Sequence, residues 1–259
     1  MTVRLDITDS VAEIVLDDPG KLNALDERAI GELSSAFASA EAATVRALLL
    51  RGEGRAFCAG RDISAVDPAT DDARGYLDDI VTPLLRQIAE FPAPTFAMAT
   101  GACLGVGLGL LVASDVVYVA DTARIGSPFA NLGATLDSGG HALFFERLGA
   151  HRTLDLIYTG ELMTGTDAVA LGLFSRVVPA DDLLEFSRTR VRKVATGATL
   201  AYLASKKLVR RLRDDRPGLW QSLAEENQAQ GELCLTADYR EGFAAFQEKR
   251  APVFHGVPS

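Results

Sequence analysis

Two hydrophobic rhythms, of strand and of helix, alternate along the chain until the helical one takes over. Residues 3–7 and 11–16 are short, β-branched-rich runs split by Asp9-Ser10. This predicts an antiparallel hairpin, which Asp17-Asp18-Pro19-Gly20 then ends. From residue 26 to 42, apolar residues recur at Ala29, Ile30, Leu33, Phe37 and Ala40, a helical spacing with Asp26 as N-cap. Apolar runs at residues 47–50, 95–99 and 116–120 read as buried strands. The most regular helical pattern covers residues 75–90, with Leu77, Ile80, Val81, Leu84, Leu85 and Ile88 on one face and Pro92 and Pro94 as the stop. Residues 67–72 are polar, hold a proline and read as a mobile loop. Beyond Val178-Pro179 the pattern is helical throughout, with candidate helices at 182–194, 200–212, 217–234 and 239–249.

Two glycine-rich stretches interrupt this pattern, each after a predicted strand. The first is Arg55-Ala-Phe-Cys-Ala-Gly-Arg-Asp-Ile63 and the second Thr100-Gly-Ala-Cys-Leu-Gly-Val-Gly-Leu-Gly109. A strand, a small-residue turn and a helix can aim free backbone N–H groups into a pocket. Two such turns facing each other would form an oxyanion hole. For either stretch alone a plain tight turn is the simpler reading.

Composition narrows the function classes. A chain of 259 residues with 48% apolar content suits one large domain or a domain with an appendage. The formal charge of −9 argues against wholesale binding of nucleic acid or acidic membranes, so any phosphate site must be local. Cys58, Cys103 and Cys234 are too scattered for a disulfide framework or a metal knuckle, and His141, His151 and His255 have no metal spacing. No apolar signal core opens the chain, and the run from Leu104 to Ala113 is too short and glycine-rich to span a bilayer. The expectation is a cytoplasmic protein with no membrane partner and no metal.

The first glycine stretch resembles the Ala-Phe-Cys-Ala-Gly-x-Asp signature of the crotonase superfamily, the enoyl-CoA hydratases and isomerases. Residues 19–25, 137–140 and 237–250 resemble the same family in order. The resemblance implies an α/β fold, the crotonase (ClpP-like) spiral of ββα units over residues 1–195, followed by a C-terminal helical trimerisation segment over 196–259. It also implies a homotrimer or hexamer, and coenzyme A entering as part of an acyl-CoA thioester substrate with no permanently bound cofactor. Carried over position by position, the oxyanion donors are the N–H groups of Arg61 and Val106. The CoA contacts are Lys21, Ala59, Asp62, Ile63, Phe246 and Lys249, the last two commonly reaching a neighbouring subunit's nucleotide. The loop at 67–72 would cover the acyl pocket. Apart from the family, Lys21 reads equally as a solvated lysine, Phe246 as part of an amphipathic stripe and Lys249 as a helix-end charge.

Typical hydratases of this family use two glutamates, at positions where this chain has Gly109 and Phe129. Adding water across a double bond needs both an acid and a base, which Gly and Phe cannot supply. Asp137, in Leu132-Gly133-Ala134-Thr135-Leu136-Asp137-Ser138-Gly139-Gly140, matches the catalytic aspartate of the isomerase-like members, with Leu136 where proline is usual. The resemblance is greatest to the ring-epoxide isomerases of phenylacetate breakdown. On its own, an Asp before Ser-Gly-Gly reads as a helix N-cap. The reading adopted is an acyl-CoA isomerase with Asp137 as base. A hydratase with relocated carboxylates and a non-catalytic acyl-CoA binding protein are the alternatives. His141 reads as a helix-start residue, Cys58 as a small buried hydrophobe and Glu161 as part of a surface turn.

Overall fold

The structure, a computed structural model, describes residues 2–256. The predicted hairpin is present as β1 (Val3–Thr8) and β2 (Val11–Leu16), paired antiparallel. Its two-residue turn puts Asp9 and Ser10 at φ of 50° and 62°, the left-handed conformation that matches the twist of the flanking strands. Helix α1 (Glu27–Ala42) starts where the Asp26 side chain accepts the Ala29 N–H at 2.7 Å, a cap of about 1 kcal/mol. It buries Ile30, Leu33 and Phe37, and Phe37 meets Phe91 edge-on at 5.7 Å.

Then follow β3 (Ala47–Gly52), α2 (Ala73–Gly75), a π-helical turn (Tyr76–Val81), α3 (Thr82–Glu90) and β4 (Thr95–Ala99). After these come β5 (Ala102–Leu104), α4 (Val106–Ala113), β6 (Val116–Ala120), β7 (Arg124–Gly126) and α5 (Gly140–Thr159). The remaining elements are β8 (Met163–Thr164), α6 (Gly165–Ala170), β9 (Arg176–Val178), α7 (Leu183–Ala195), α8 (Thr199–Asp215), α9 (Leu219–Leu233) and α10 (Ala237–Glu248). The outer sheet has six strands in the order β1-β2-β3-β4-β6-β9, parallel except for the first pair. The central strands β3 and β4 are buried on both faces, as their unbroken apolar runs require.

An inner sheet, β5-β7-β8, is lengthened by isolated bridges from Cys58 to Cys103 and from Leu25 to Arg61. Successive turns of the chain therefore add one strand to each sheet and then a helix, the ββα spiral expected from the resemblance. Both glycine stretches lie on the inner sheet.

The helical region at 75–90 departs from the expected regular α-helix. Pro83 has no N–H, and its ring would crowd the carbonyl four residues earlier. The chain answers with a π turn in which the Thr82 N–H bonds the Leu77 carbonyl. This inserts one residue into the repeat, so the fully buried positions are Tyr76, Val81, Leu84 and Ile88, while Leu77 and Ile80 are only half-buried.

Helix α7 covers the outer sheet, where Phe186 meets Tyr118 edge-on at 5.2 Å. The later helices are tied to the core by polar side chains. Lys206 reaches the carbonyls of Phe91 and Ala93 and pairs with Asp115 at 2.9 Å. Arg46 donates to the carbonyls of Gly197 and Phe254. Among the described residues no helix is long and apolar enough to cross a membrane.

Candidate active site

At the first glycine turn, Cys58 bonds β5 through both of its backbone groups, donating to Ala102 and accepting from Leu104. Two residues on, the pairing switches sides. Leu25 N–H donates to the Gly60 carbonyl at 2.8 Å, and Asp62 N–H donates to the Leu25 carbonyl at 2.9 Å. The switch is made by Gly60, whose φ of 99° is open to glycine and strained for other residues. Because the flanking residues 60 and 62 serve Leu25, the amide of Arg61 faces the side away from Leu25. Among the described residues it has no hydrogen-bond partner.

The second turn lies directly against the first. A Cβ on Gly60 would stand 3.0 Å from the Leu104 carbonyl oxygen and 3.7 Å from the Gly105 Cα. Gly105, at φ 51° and ψ −121°, launches α4 with no side-chain cap, and the Val106 amide has no partner among the described residues. The first amides of a helix lack intrahelical acceptors and carry the positive end of its dipole. The fold thus sets two unpaired donors on neighbouring backbones, an arrangement able to hold an oxyanion.

Asp137 lies in the loop before α5. Its carboxylate accepts the Ser138 hydroxyl at 2.8 Å, and the N-cap of α5 is Gly139, with no side-chain cap, so Asp137 is not an N-cap. Half-buried, the carboxyl is raised above its ordinary value by loss of hydration, partly offset by the Ser138 hydrogen bond and by His141. His141, expected as a helix-start residue, is exposed in the first turn of α5. The loop also packs on α4, since a Cβ on Gly109 would stand 2.6 Å from the Ser138 Cβ. Phe129 covers the second turn, its ring 2.8 Å from where a Cβ on Gly105 would be. Leu136, in place of proline, is buried against Gly140.

The Arg61 side chain donates to both carboxylate oxygens of Asp71, at 2.9 and 2.7 Å, and lies 4.0 Å over the Tyr76 ring. The polar loop is thereby drawn over a cavity of about 390 Å³ lined by Leu25, Glu27, Arg61, Asp71 and Tyr76 among others. Tyr76 was missed in the sequence, where the helical spacing points to Leu77. Pro83, inside an otherwise helical pattern, was the signal. Lys21 pairs with Asp62 at 2.7 Å, and Asp62 also accepts the Ser64 hydroxyl and amide, which together hold its carboxyl well below the usual range. The Ala59 N–H is engaged by Leu22, while the Ile63 side chain is exposed.

Lys21, Ala59, Asp62 and Ile63 thus cluster beside the first turn. Phe246 and Lys249 do not join them within the chain. Phe246, 83% exposed and so outside any core stripe, lines a separate apolar cavity with Leu200, Leu233 and Phe254. Lys249 is the left-handed C-cap of α10. Cys58 is fully buried, and burial pushes its thiol up to about 12, as suits a small hydrophobe. Glu161 lies exposed just after α5. No group of residues able to hold a metal ion occurs among those described.

The sequence model for the enoyl-CoA hydratase/isomerase family matches residues 6–257. The chain belongs to that family. A Rhodobacter capsulatus protein named "Probable enoyl-CoA hydratase" is 35% identical over 98% of both chains. The 1,2-epoxyphenylacetyl-CoA isomerase of Escherichia coli is 30% identical over 95% of both. The crystal structure of an enoyl-CoA hydratase from Bacillus anthracis superposes with a TM-score of 0.89 at 27% identity, covering 98% of this chain and 99% of that one.

Within the enoyl-CoA hydratase/isomerase family, hydratase and isomerase names thus both occur among the relatives, so family membership leaves open which reaction this chain performs. The local geometry bears on that choice. The first expected glutamate position, Gly109, is closed by Ser138, and the second, Phe129, carries a ring over the second glycine turn.

Proposed function

We propose that this protein isomerises an acyl-CoA thioester through an enolate, with Asp137 as the only base. The observation that carries this reading is the Asp137 carboxylate: half-buried, raised in basicity, hydrogen-bonded among the described residues to Ser138 alone and not engaged as a helix cap. The amides of Arg61 and Val106 would receive the thioester oxygen. Asp137 removes a proton from a carbon of the acyl chain, the C–H electron pair moves toward the thioester, and negative charge collects on its oxygen. Collapse of the enolate returns the pair to a different carbon, which recovers the proton from Asp137. One such donor is worth roughly 10²–10³ in rate. One carboxylate suffices because the proton taken is the proton returned.

Coenzyme A would enter with the substrate, its contacts coming from Lys21, Ala59, Asp62 and Ile63, and from Phe246 and Lys249 of a neighbouring copy in a homotrimer or hexamer. Exposed Leu219, Trp220, Leu235 and Phe243 on and beside α9 and α10 support such an assembly through residues 196–259. Asp137→Asn keeps the shape and removes the base. Turnover of the enoyl- or aryl-CoA that the wild type isomerises should fall by about 10²–10⁴. Unchanged turnover would refute the assignment.

A second reading, hydration by relocated carboxylates, is favoured by the acidic lining of the cavity beside Arg61, which includes Asp26, Glu27, Asp67 and Asp72. Incubation in ¹⁸O-water separates the two. Isomerisation leaves the product mass unchanged and hydration adds one labelled water.

A further inference from the structure

Tyr76 stands at the start of the π turn, in the wall of the cavity that borders the first glycine turn. Its side chain is 6% exposed, and its hydroxyl is shut off from solvent with no hydrogen-bond partner among the described residues. A buried phenol ordinarily finds an acceptor, and one left without it forfeits a hydrogen bond that water would have supplied. The ring is fixed rather than loose: Arg61, itself clamped by Asp71, covers one face at 4.0 Å. The cavity that Tyr76 lines is also lined by Arg61, Leu25 and Asp62, the residues of the first glycine turn and of its pairing partner. Burial holds the phenol protonated and therefore a donor at any working pH.

We propose that Tyr76 is a specificity-determining residue whose hydroxyl donates to an oxygen on the acyl group, so that this site selects oxygenated acyl chains over plain hydrocarbon ones. The inference rests on the acyl-CoA reading of the site. It follows from three features together: a ring held by Arg61, a donor with no acceptor among the described residues, and a place in the wall of the cavity that borders the first glycine turn. A π turn is a frequent means of bringing a side chain into a functional site, and here it replaces Leu77 by Tyr76 on the buried face. A site with a waiting donor discriminates strongly against an analogue that lacks the acceptor, because the donor then stays unpaired.

The test uses binding, with ligands that carry no double bond to shift. Hexanoyl-CoA and its 3-, 4- and 5-hydroxy derivatives are titrated calorimetrically into the wild type and Tyr76→Phe. At least one hydroxylated chain should bind the wild type about tenfold tighter than hexanoyl-CoA, by the usual worth of one buried hydrogen bond. Tyr76→Phe should erase that gain while leaving hexanoyl-CoA within about twofold, and should melt no lower than the wild type, since it removes only an unpaired hydroxyl. A preference for no hydroxylated chain, a preference that survives in the variant, or a lower melting temperature of the variant overturns the proposal. Binding of hexanoyl-CoA without hydroxyl preference sinks this inference alone, whereas no binding of any thioester sinks the acyl-CoA reading with it.

Discussion

A side chain at residue 109 is the sharpest probe of the candidate site, because that position and the Asp137 loop compete for one space. In Gly109→Ala the new Cβ would lie 2.6 Å from the Ser138 Cβ, 3.0 Å from the Ser138 carbonyl oxygen and 3.3 Å from a Leu85 methyl. Carbon atoms rest at about 3.5–4.0 Å, so the loop must retreat by roughly 1 Å. Overpacking of this kind costs about 1–3 kcal/mol, and in a chain of this size each kcal/mol lowers the melting temperature by about 2–4 °C. Asp137 precedes Ser138 and must move with it. A displacement of about 1 Å in a catalytic group costs on the order of 10² in rate. Gly109→Ala should therefore melt several degrees lower and lose about 10² in kcat, with KM changed far less.

The assay is a thermal melt beside steady-state kinetics on the thioester that the wild type isomerises. Retention of kcat within about twofold, despite a lowered melting temperature, would refute the coupling between this loop and catalysis. Gly109→Glu sharpens the comparison. If the glycine were merely a lost hydratase glutamate, restoring the acid would bring hydration; the packing implies instead loss of isomerisation without water uptake.

Two further outcomes follow from named groups. Burial raises the Asp137 carboxyl above its unfolded value, so the folded state binds the proton more tightly; that contribution to stability is complete below the unfolded pKa and is lost as pH rises through the folded one. Asp137→Asn should therefore melt above the wild type at neutral pH, with the difference shrinking on acidification, as scanning calorimetry across pH would read; a difference that stays flat or grows on acidification is inconsistent with the buried-base assignment. Arg61→Met breaks the bidentate pair to Asp71, in which both side chains are about one-fifth exposed, and the stack on Tyr76, at a cost of about 1–2 kcal/mol. Its main-chain donor survives, so KM should rise severalfold with kcat within about threefold. Loss of kcat at unchanged KM would mean that the guanidinium, and not the amide, serves the chemistry.

The elements most legible in the sequence were those whose pattern is local. The Asp9-Ser10 hairpin turn, the Asp26 cap and the apolar runs of β3 and β4 each encode their conformation within a few residues. The short inner strands β5, β7 and β8 did not stand out, because two or three residues are too few to show alternation; β5 is masked further by the glycines around it. Pro83 carried the evidence for the π turn, but its effect, a shift of the buried face from Leu77 to Tyr76, depends on how the helix resolves one missing hydrogen bond. The candidate donors at Arg61 and Val106 were reachable only through the resemblance, since a free amide leaves no trace in side-chain identity. The switch in pairing made by Gly60 gives a physical reason for that glycine which spacing alone did not supply. The start of helix α5 was legible at His141 but its extent was not, as its non-helical Gly149 breaks the repeat.

Gly109 and Phe129 can be taken as two lost residues or as one altered arrangement, and the packing favours the second. An acid at 109 would need the space that Ser138 fills, and Ser138 is the residue whose hydroxyl orients Asp137. Phe129, for its part, lies on Gly105, the residue that aims the Val106 amide. Each substitution thus supports a part that the single-base reading uses: the glycine admits the loop, and the ring packs the turn. A chain that had only decayed from two acids to none would have no reason to seat another carboxylate, half-buried and free of helix capping, beside the vacated position. The same logic extends to Tyr76. On the single-base proposal, discrimination among acyl groups must come from groups that hold the substrate elsewhere, and a buried donor without a partner among the described residues, in the wall of the cavity beside the first glycine turn, is suited to that task.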